Sequence, residues 1–224
     1  MKMIRSSILL LGAFLLVCPL LGAQDFSRYR SFSIGTSLTS VLKQTEQKLA
    51  DVDVTHEGPP LFQELTWWPP SIPGISFRPD PVEQVLFSFY SGSLYKISVT
   101  YEQSSTEGLT AEDMVKSISA KYGPPTSVVA GAGPLAIDEN NLKQKPVASW
   151  GDPQFSLNLV RSTLTDRFGL VIFSKHLNTE AEIAIAEAVK REKEEGPQKL
   201  ADLQKKDADD REIARQKNKK SFQP

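Results

Sequence analysis

The stretch from Val82 to Glu102, VEQVLFSFYSGSLYKISVTYE, constrains the fold of this chain more than any other. Val85, Phe87 and Phe89 alternate with Gln84, Leu86 and Ser88, the two-residue period of a strand with one buried face. Beyond a turn, Tyr95, Ile97, Val99 and Tyr101 alternate with Lys96, Ser98 and Thr100. The spacing predicts a β-hairpin with a three-residue loop, Tyr90-Ser91-Gly92, in which Gly92 takes the left-handed position and Phe87 faces Tyr95. A slip of two residues would set Phe87 against Ile97 and keep the same faces. A slip of one would put Phe87 beside Lys96, so the parity is well specified. Two strands alone cannot offset the entropy of ordering them, so further strands and a helical lid are expected.

The chain before the hairpin supplies candidates. Phe26 to Phe32, continuing through Ser33 and Ile34, reads as an edge strand. Leu38, Val41, Leu42 and Leu49 fall at helical spacing with Thr36 or Ser37 as N-cap, predicting a helix from Leu38 to Ala50. Gly58-Pro59-Pro60 interrupts the chain. Leu61 to Trp68 reads as a strand with Leu65 and Trp67 on one side and Thr66 and Trp68 on the other. A Pro-rich loop carrying Ile75 and Phe77 runs on to Pro81.

After the hairpin comes the clearest helix. Thr110-Ala111-Glu112-Asp113 forms a capping box with Asp113 in the usual Glu position. Met114, Val115, Ile118 and Tyr122 line one face, and Gly123 followed by Pro124-Pro125 ends it. A loop from Ala130 to Lys145 leads to a short strand, Val147 to Trp150. A second hairpin follows, Phe155, Leu157 and Leu159 alternating with Ser156, Asn158 and Val160, then Phe168 to Ser174. A helix, a Gly-Pro-Pro break, a Trp-containing strand and a hairpin thus occur twice, over 31–108 and 109–176. The expected architecture is α+β. Two α-β-β-β units form one antiparallel sheet with helices on one face, followed by a charged helical tail.

Gly108-Leu109-Thr110, a helix containing Val115, and Gly123-Pro124-Pro125 resemble the helix of small envelope modules of the BamE/SmpA type. Gly35-Thr36-Ser37-Leu38, leading into a helix with Val41, repeats the pattern. A tandem pair of such units resembles the β-lactamase inhibitor protein fold. The resemblance implies a binding or assembly protein and no catalytic activity.

The N-terminus gives an address. Lys2 and Arg5 precede an apolar run from Ile8 to Val17, followed by Pro19 and Gly22-Ala23, the layout of a secretory signal peptide over 1–23. The run is short for a membrane span, and anchoring is not expected once it is cleaved. Cys18 suggests a lipoprotein, but Val17 stands where that processing wants a small residue. Cleavage after Ala23 would remove the single cysteine, so the exported protein would depend on its core. It would also leave 24 basic against 27 acidic side chains, a net charge of −3 that argues against nucleic acid as a partner. An α+β domain over 24–176 and a tail over 177–224 would remain.

In the tail, Thr179-Glu180-Ala181-Glu182 is a further capping box, and Ala181, Ala184, Ile185 and Ala188 form a modest apolar stripe. Gly196-Pro197 is expected to break that helix. The rest is charged, without a sustained heptad, and reads as a solvated or partly disordered extension or a partner-binding helix.

Catalytic signals are sparse. His56 and His176 read as ordinary loop or element-end residues, and no metal or cofactor is expected. Gly131-Ala132-Gly133 spells part of a dinucleotide loop, yet Pro134 and the polar run Asp138 to Asn141 spoil its context. What remains is the sheet face away from the helices, where Tyr90, Lys96 and Ser98 point. Trp68 and Tyr90 are the candidate binding residues, unless the Pro-rich loop covers them. The expectation is an exported, non-enzymatic protein-binding or envelope-assembly module whose partner is another envelope protein. A small-ligand-binding periplasmic protein is the alternative.

Overall fold

A computed structural model describes residues 24–56, 61–70, 80–128 and 144–221. A short ribbon, β1 (Arg28–Tyr29) with β2 (Phe32–Ser33), precedes helix α1 (Leu38–Thr45). Four strands follow: β3 (Val52–His56), β4 (Phe62–Trp67), β5 (Val82–Tyr90) and β6 (Ser93–Tyr101). After the single turn α2 (Gln103–Thr106) the order returns, with α3 (Ala111–Tyr122), β7 (Ser127–Val128), β8 (Gln144–Gly151), β9 (Phe155–Ser162) and β10 (Phe168–Ser174). Helix α4 (Lys175–Ser221) completes the described chain. The chain is an α+β protein.

The eight strands from β3 to β10 form one antiparallel sheet in the order β3-β4-β5-β6-β10-β9-β8-β7. The second half mirrors the first, and the halves meet through the last strand of each, with Ile97 opposite Ile172 and Val99 opposite Leu170. Helices α1 and α3 are therefore each followed by four strands, one more than the sequence pattern marks. The additional strands, β3 and β7, lie at the sheet edges and are mostly exposed, so no alternating apolar residues announce them. Central β10 is buried along nearly its whole length, which explains its unbroken apolar run.

The central hairpin keeps its predicted faces but takes the alternative register. Tyr90 pairs with Ser93 across a two-residue turn in which Ser91 (φ 49°) and Gly92 (φ 78°) are both left-handed. Such a turn follows the strands' own twist, which is why two residues suffice. Phe89 then pairs with Leu94 and Phe87 with Ile97, while the register shifts between Ser88 and Phe89. Tyr95 is the extra residue of a bulge. It leaves the inner face, contrary to its place in the alternation, and joins Lys96 on the outer one.

The inner face carries the main core. Leu65, Val85, Phe87, Leu94, Ile97, Trp150, Leu157 and Ile172 are fully buried beneath Val41 of α1 and Met114, Ile118 and Tyr122 of α3. Thr110 and Asp113 make the predicted capping box, the Asp113 amide donating to Thr110 Oγ1 (3.2 Å) and the Thr110 amide to Asp113 Oδ2 (3.0 Å). Helix α1 starts at N-cap Ser37 but stops earlier than predicted. Glu46 adopts a left-handed conformation (φ 57°), and Leu49 lies in a short 3-10 turn, well exposed. The aromatic N-terminal segment is not an edge strand of the sheet. It pairs with itself as β1–β2 and inserts Phe26, Tyr29 and Phe32 into the core, with Phe32 4.6 Å from Phe87 between ring centroids. Arg30 holds it down by donating two hydrogen bonds to Asp80 (2.7 and 2.6 Å).

The tail differs most from expectation. Helix α4 continues through Gly196-Pro197, where a break is predicted. A proline in a helix forfeits one backbone bond and crowds the preceding turn, which bends a helix without necessarily ending it. Its first turns lie on the outer face, so helices cover both sides of the sheet. The signal-peptide segment with Cys18, Gly58-Pro59-Pro60, Ile75 and Phe77 of the Pro-rich loop, and the glycine-rich segment at 131–133 lie outside the described residues.

Candidate functional site

The outer face is built from side chains at the polar positions of the strands. Register places Glu64 of β4 opposite Ser88 of β5, and Ser88 opposite Lys96 of β6, as one row across three strands. The next row is Thr66, Leu86 and Ser98, and Gln84 with Thr100 follow. Ser88 is only 1% exposed, and its hydroxyl donates to Glu64 Oε1 (3.2 Å). Lys96 Nζ stands 5.5 Å from the centre of the Tyr95 ring, since the bulge puts the two neighbours on the same side.

Helix α4 walls one end of this face. Ala181 and Ala184 pack with Phe62 and Tyr95 in a second small core, flanked by Tyr90, Leu177 and Ile185. Alanine at those positions lets the helix approach the aromatic rings closely. The helix is also tied to edge strand β3, because the carboxylate of Glu192 can only accept and His56 Nδ1–H donates to its Oε1 (3.2 Å). The His56 ring meets Phe62 edge-on, with centroids 5.7 Å apart. At the other end of the face, Arg167 is ion-paired to Glu83, the bulged residue of β5, across β6.

Between these boundaries lies a cleft of about 370 Å³. Thr55 of β3 and Gln144 of β8 both line it, although five strands stand between theirs in the sheet. On a flat sheet those strands would be about 29 Å apart at ~4.8 Å per step, so the outer face is curled into a trough. Four register shifts, at 54/56, 82/84, 88/89 and 146/148, supply the local bends that such curling needs. The cleft offers hydroxyls and amides, the acid Glu64, the basic side chains of Lys96 and His56, and the apolar surfaces of Leu86, Phe62 and Ile185. That combination suits binding.

Of the sequence-predicted residues, Lys96 and Ser98 line the cleft. Tyr90 is half-buried beside α4, its ring 5.2 Å from that of Phe62. Trp68 lies just past the far end of β4 and is 60% exposed. Tyr90 pairs with Phe62 at the start of that strand, so about 20 Å of chain separates the two aromatic residues, and they do not form one site. The cover over Tyr90 is α4. Glu64, Thr55 and Gln144 were not singled out from the sequence. Glu64 is visible there only as one polar residue of a strand, and the other two require the curl. His56 and His176 end or begin elements, the latter 3.7 Å from Glu180 in the first turns of α4.

A second charged cluster lies at the opposite surface, beneath the N-terminal ribbon. Burial pushes the Tyr29 hydroxyl up to about 12 and raises that of Tyr101 as well. The hydrogen bonds to Asp80 hold Arg30 all the more firmly in its charged form. This cluster anchors the ribbon to the start of β5, where Asp80 also accepts from the Val82 amide (3.0 Å). Among the described residues no group of three or more His, Cys, Asp or Glu side chains is placed to hold a metal ion. Among the same residues no helix is long and apolar enough to cross a membrane.

Comparison of the chain with protein-family models, with curated proteins and with solved structures finds no match.

Proposed function

We propose that this chain is an exported, non-enzymatic module that binds another envelope protein, with the distal part of α4 as its contact arm. The observation that carries this reading is the reach of that helix. Its last buried residue is Ala188 and its last bond to the body is that of Glu192 with His56, and from Lys193 to Ser221 the exposed side chains line about 43 Å of helix beyond the body. Ion pairs within the arm, Lys199 with Glu195 (3.2 Å) and Arg215 with Glu212 (3.6 Å), support its helicity. Leu200, Leu203 and Ile213 stand exposed along it as anchors for a partner groove. Export rests on the signal-like pattern of 1–23, and an assembly role accords with the resemblance to BamE/SmpA-type modules. The test is cross-linking and affinity capture from envelope extracts with the whole chain and with a chain ending at Lys193. A partner held by the first and lost by the second is expected. Failure of both to retain any partner refutes the reading.

The outer cleft favours a second reading, binding of a small polar ligand. Its volume of about 370 Å³ falls within the ~300–1,000 Å³ common for small-molecule sites. In this reading the site is the Glu64–Lys96 trough, and Trp68 has no part in it.

A further inference from the structure

We propose that the outer cleft takes a neutral, hydroxyl-rich ligand, a saccharide of one or two hexose units, seated on Gln84, Ser98 and Thr100. This rests on the small-ligand reading and is independent of the contact arm.

The charged groups of the cleft are already engaged. Glu64 accepts from the Ser88 hydroxyl (3.2 Å), and His56 donates to Glu192 (3.2 Å). The Lys96 ammonium lies 5.5 Å from the centre of the Tyr95 ring and makes a further interaction of its own. A charged ligand would have to compete with these partners. The groups left over are neutral. Among the described residues, the side chains of Gln84, Ser98 and Thr100 line the cleft half-buried and form no hydrogen bond. A hydroxyl or a side-chain amide both donates and accepts. Its counterpart is a group with the same double capacity, and a hexose carries one on nearly every carbon. An apolar ligand would instead bury three such groups without partners, at a cost for each.

Register makes these groups one platform. Gln84 of β5 lies opposite Thr100 of β6, and Leu86 lies opposite Ser98, so the four stand at the corners of a quadrilateral on the outer face. Directly opposite Cβ atoms are about 4.5–5.5 Å apart, and the next pair on the same face lies about 7 Å along the strands. Those are nearest-neighbour spacings, which the curl of the sheet leaves intact, and they match the footprint of a single pyranose ring. Three corners are polar and the fourth, Leu86, is apolar. A pyranose has the same division, with hydroxyls around its rim and C–H bonds on its face. Gln144 of β8 lines the trough from the other half of the sheet, and Phe62 and Ile185 line it with apolar surface towards α4, where a second ring fits.

Titration calorimetry of the whole protein with maltose, cellobiose, diacetylchitobiose, digalacturonate and alanyl-alanine tests this. Saturable binding of at least one of the three neutral disaccharides is expected, with digalacturonate and alanyl-alanine at least tenfold weaker. Gln84→Leu and Thr100→Val should each weaken that disaccharide at least threefold, and the two together at least tenfold, with the urea midpoint unchanged. Should Gln84→Leu lower the midpoint, Ser98→Ala combined with Thr100→Val decides the matter. Preference for digalacturonate or alanyl-alanine overturns the saccharide assignment and leaves the cleft a ligand site. Disaccharide binding untouched by the double variants overturns the platform. No saturable heat with any of the five overturns the small-ligand reading as well.

Discussion

Replacing Trp150 by Phe probes the join between α3 and the second half of the sheet. Trp150 is wholly buried opposite Leu157 of β9, and its indole N–H donates to the Gly123 carbonyl (2.9 Å) at the C-cap of α3. Phenylalanine cannot donate, so that carbonyl loses its partner, at a cost of about 1–3 kcal/mol. The smaller ring also leaves unfilled space and buries less apolar area, a further ~1–2 kcal/mol. Together these give a loss of about 2–5 kcal/mol, or a fall in Tm of roughly 4–20 °C for a chain of this size. Urea unfolding followed by circular dichroism would show a lower midpoint with an unchanged slope. Trp68→Phe is the control, because Trp68 is 60% exposed and its replacement should stay within about 0.5 kcal/mol. Equal effects of the two substitutions, or a loss below about 1 kcal/mol for Trp150→Phe, would refute the assigned role of the Trp150–Gly123 bond.

Three further outcomes follow from the packing and the charges. Ala181→Leu, which overfills a fully buried contact with Phe62 and Tyr95, should cost about 1–3 kcal/mol; hydrogen exchange should rise in 175–192 before it rises in the sheet. Ending the chain at Lys193 removes no buried side chain and retains the His56–Glu192 bond, so the urea midpoint should not move. Tyr29 ionises at about 12 in the fold against about 10 when exposed, so its share of stability is complete below pH 10 and lost as pH rises towards 12. That share is about 2–3 kcal/mol, and Tyr29→Phe should make the alkaline loss of stability shallower in urea titrations at pH 9 and pH 11.

Much of the fold is legible in the chain because its causes are local. The capping box at Thr110 and Asp113, the stop at Gly123 and the strand from Phe168 to Ser174 occupy the places their side chains announce. The inner faces of β5 and β9 are equally plain, since a period of two leaves little choice of parity when one face is apolar. The candidate site is only half legible. Lys96 and Ser98 stand out by parity, whereas Glu64 becomes meaningful only when β4 is laid beside β5. Thr55 and Gln144 carry no local signal at all.

By itself, then, the sequence determined the α+β class, the repeated order of helix and strands, and the division of the central hairpin into a core face and a polar face. Tertiary structure decided what those faces meet. It set Tyr95 outward through a bulge, added edge strands that hydrogen-bonding neighbours create without an apolar pattern, and curled the sheet so that β3 and β8 share one cleft. It also brought the alanine stripe of α4 against Phe62 and Tyr95 and left the rest of that helix in solvent. Periodicity records which side of an element is apolar. Bulges, sheet curvature and the docking of a distant helix depend on residues far apart in the chain, and their sum is fixed only when all of them pack together.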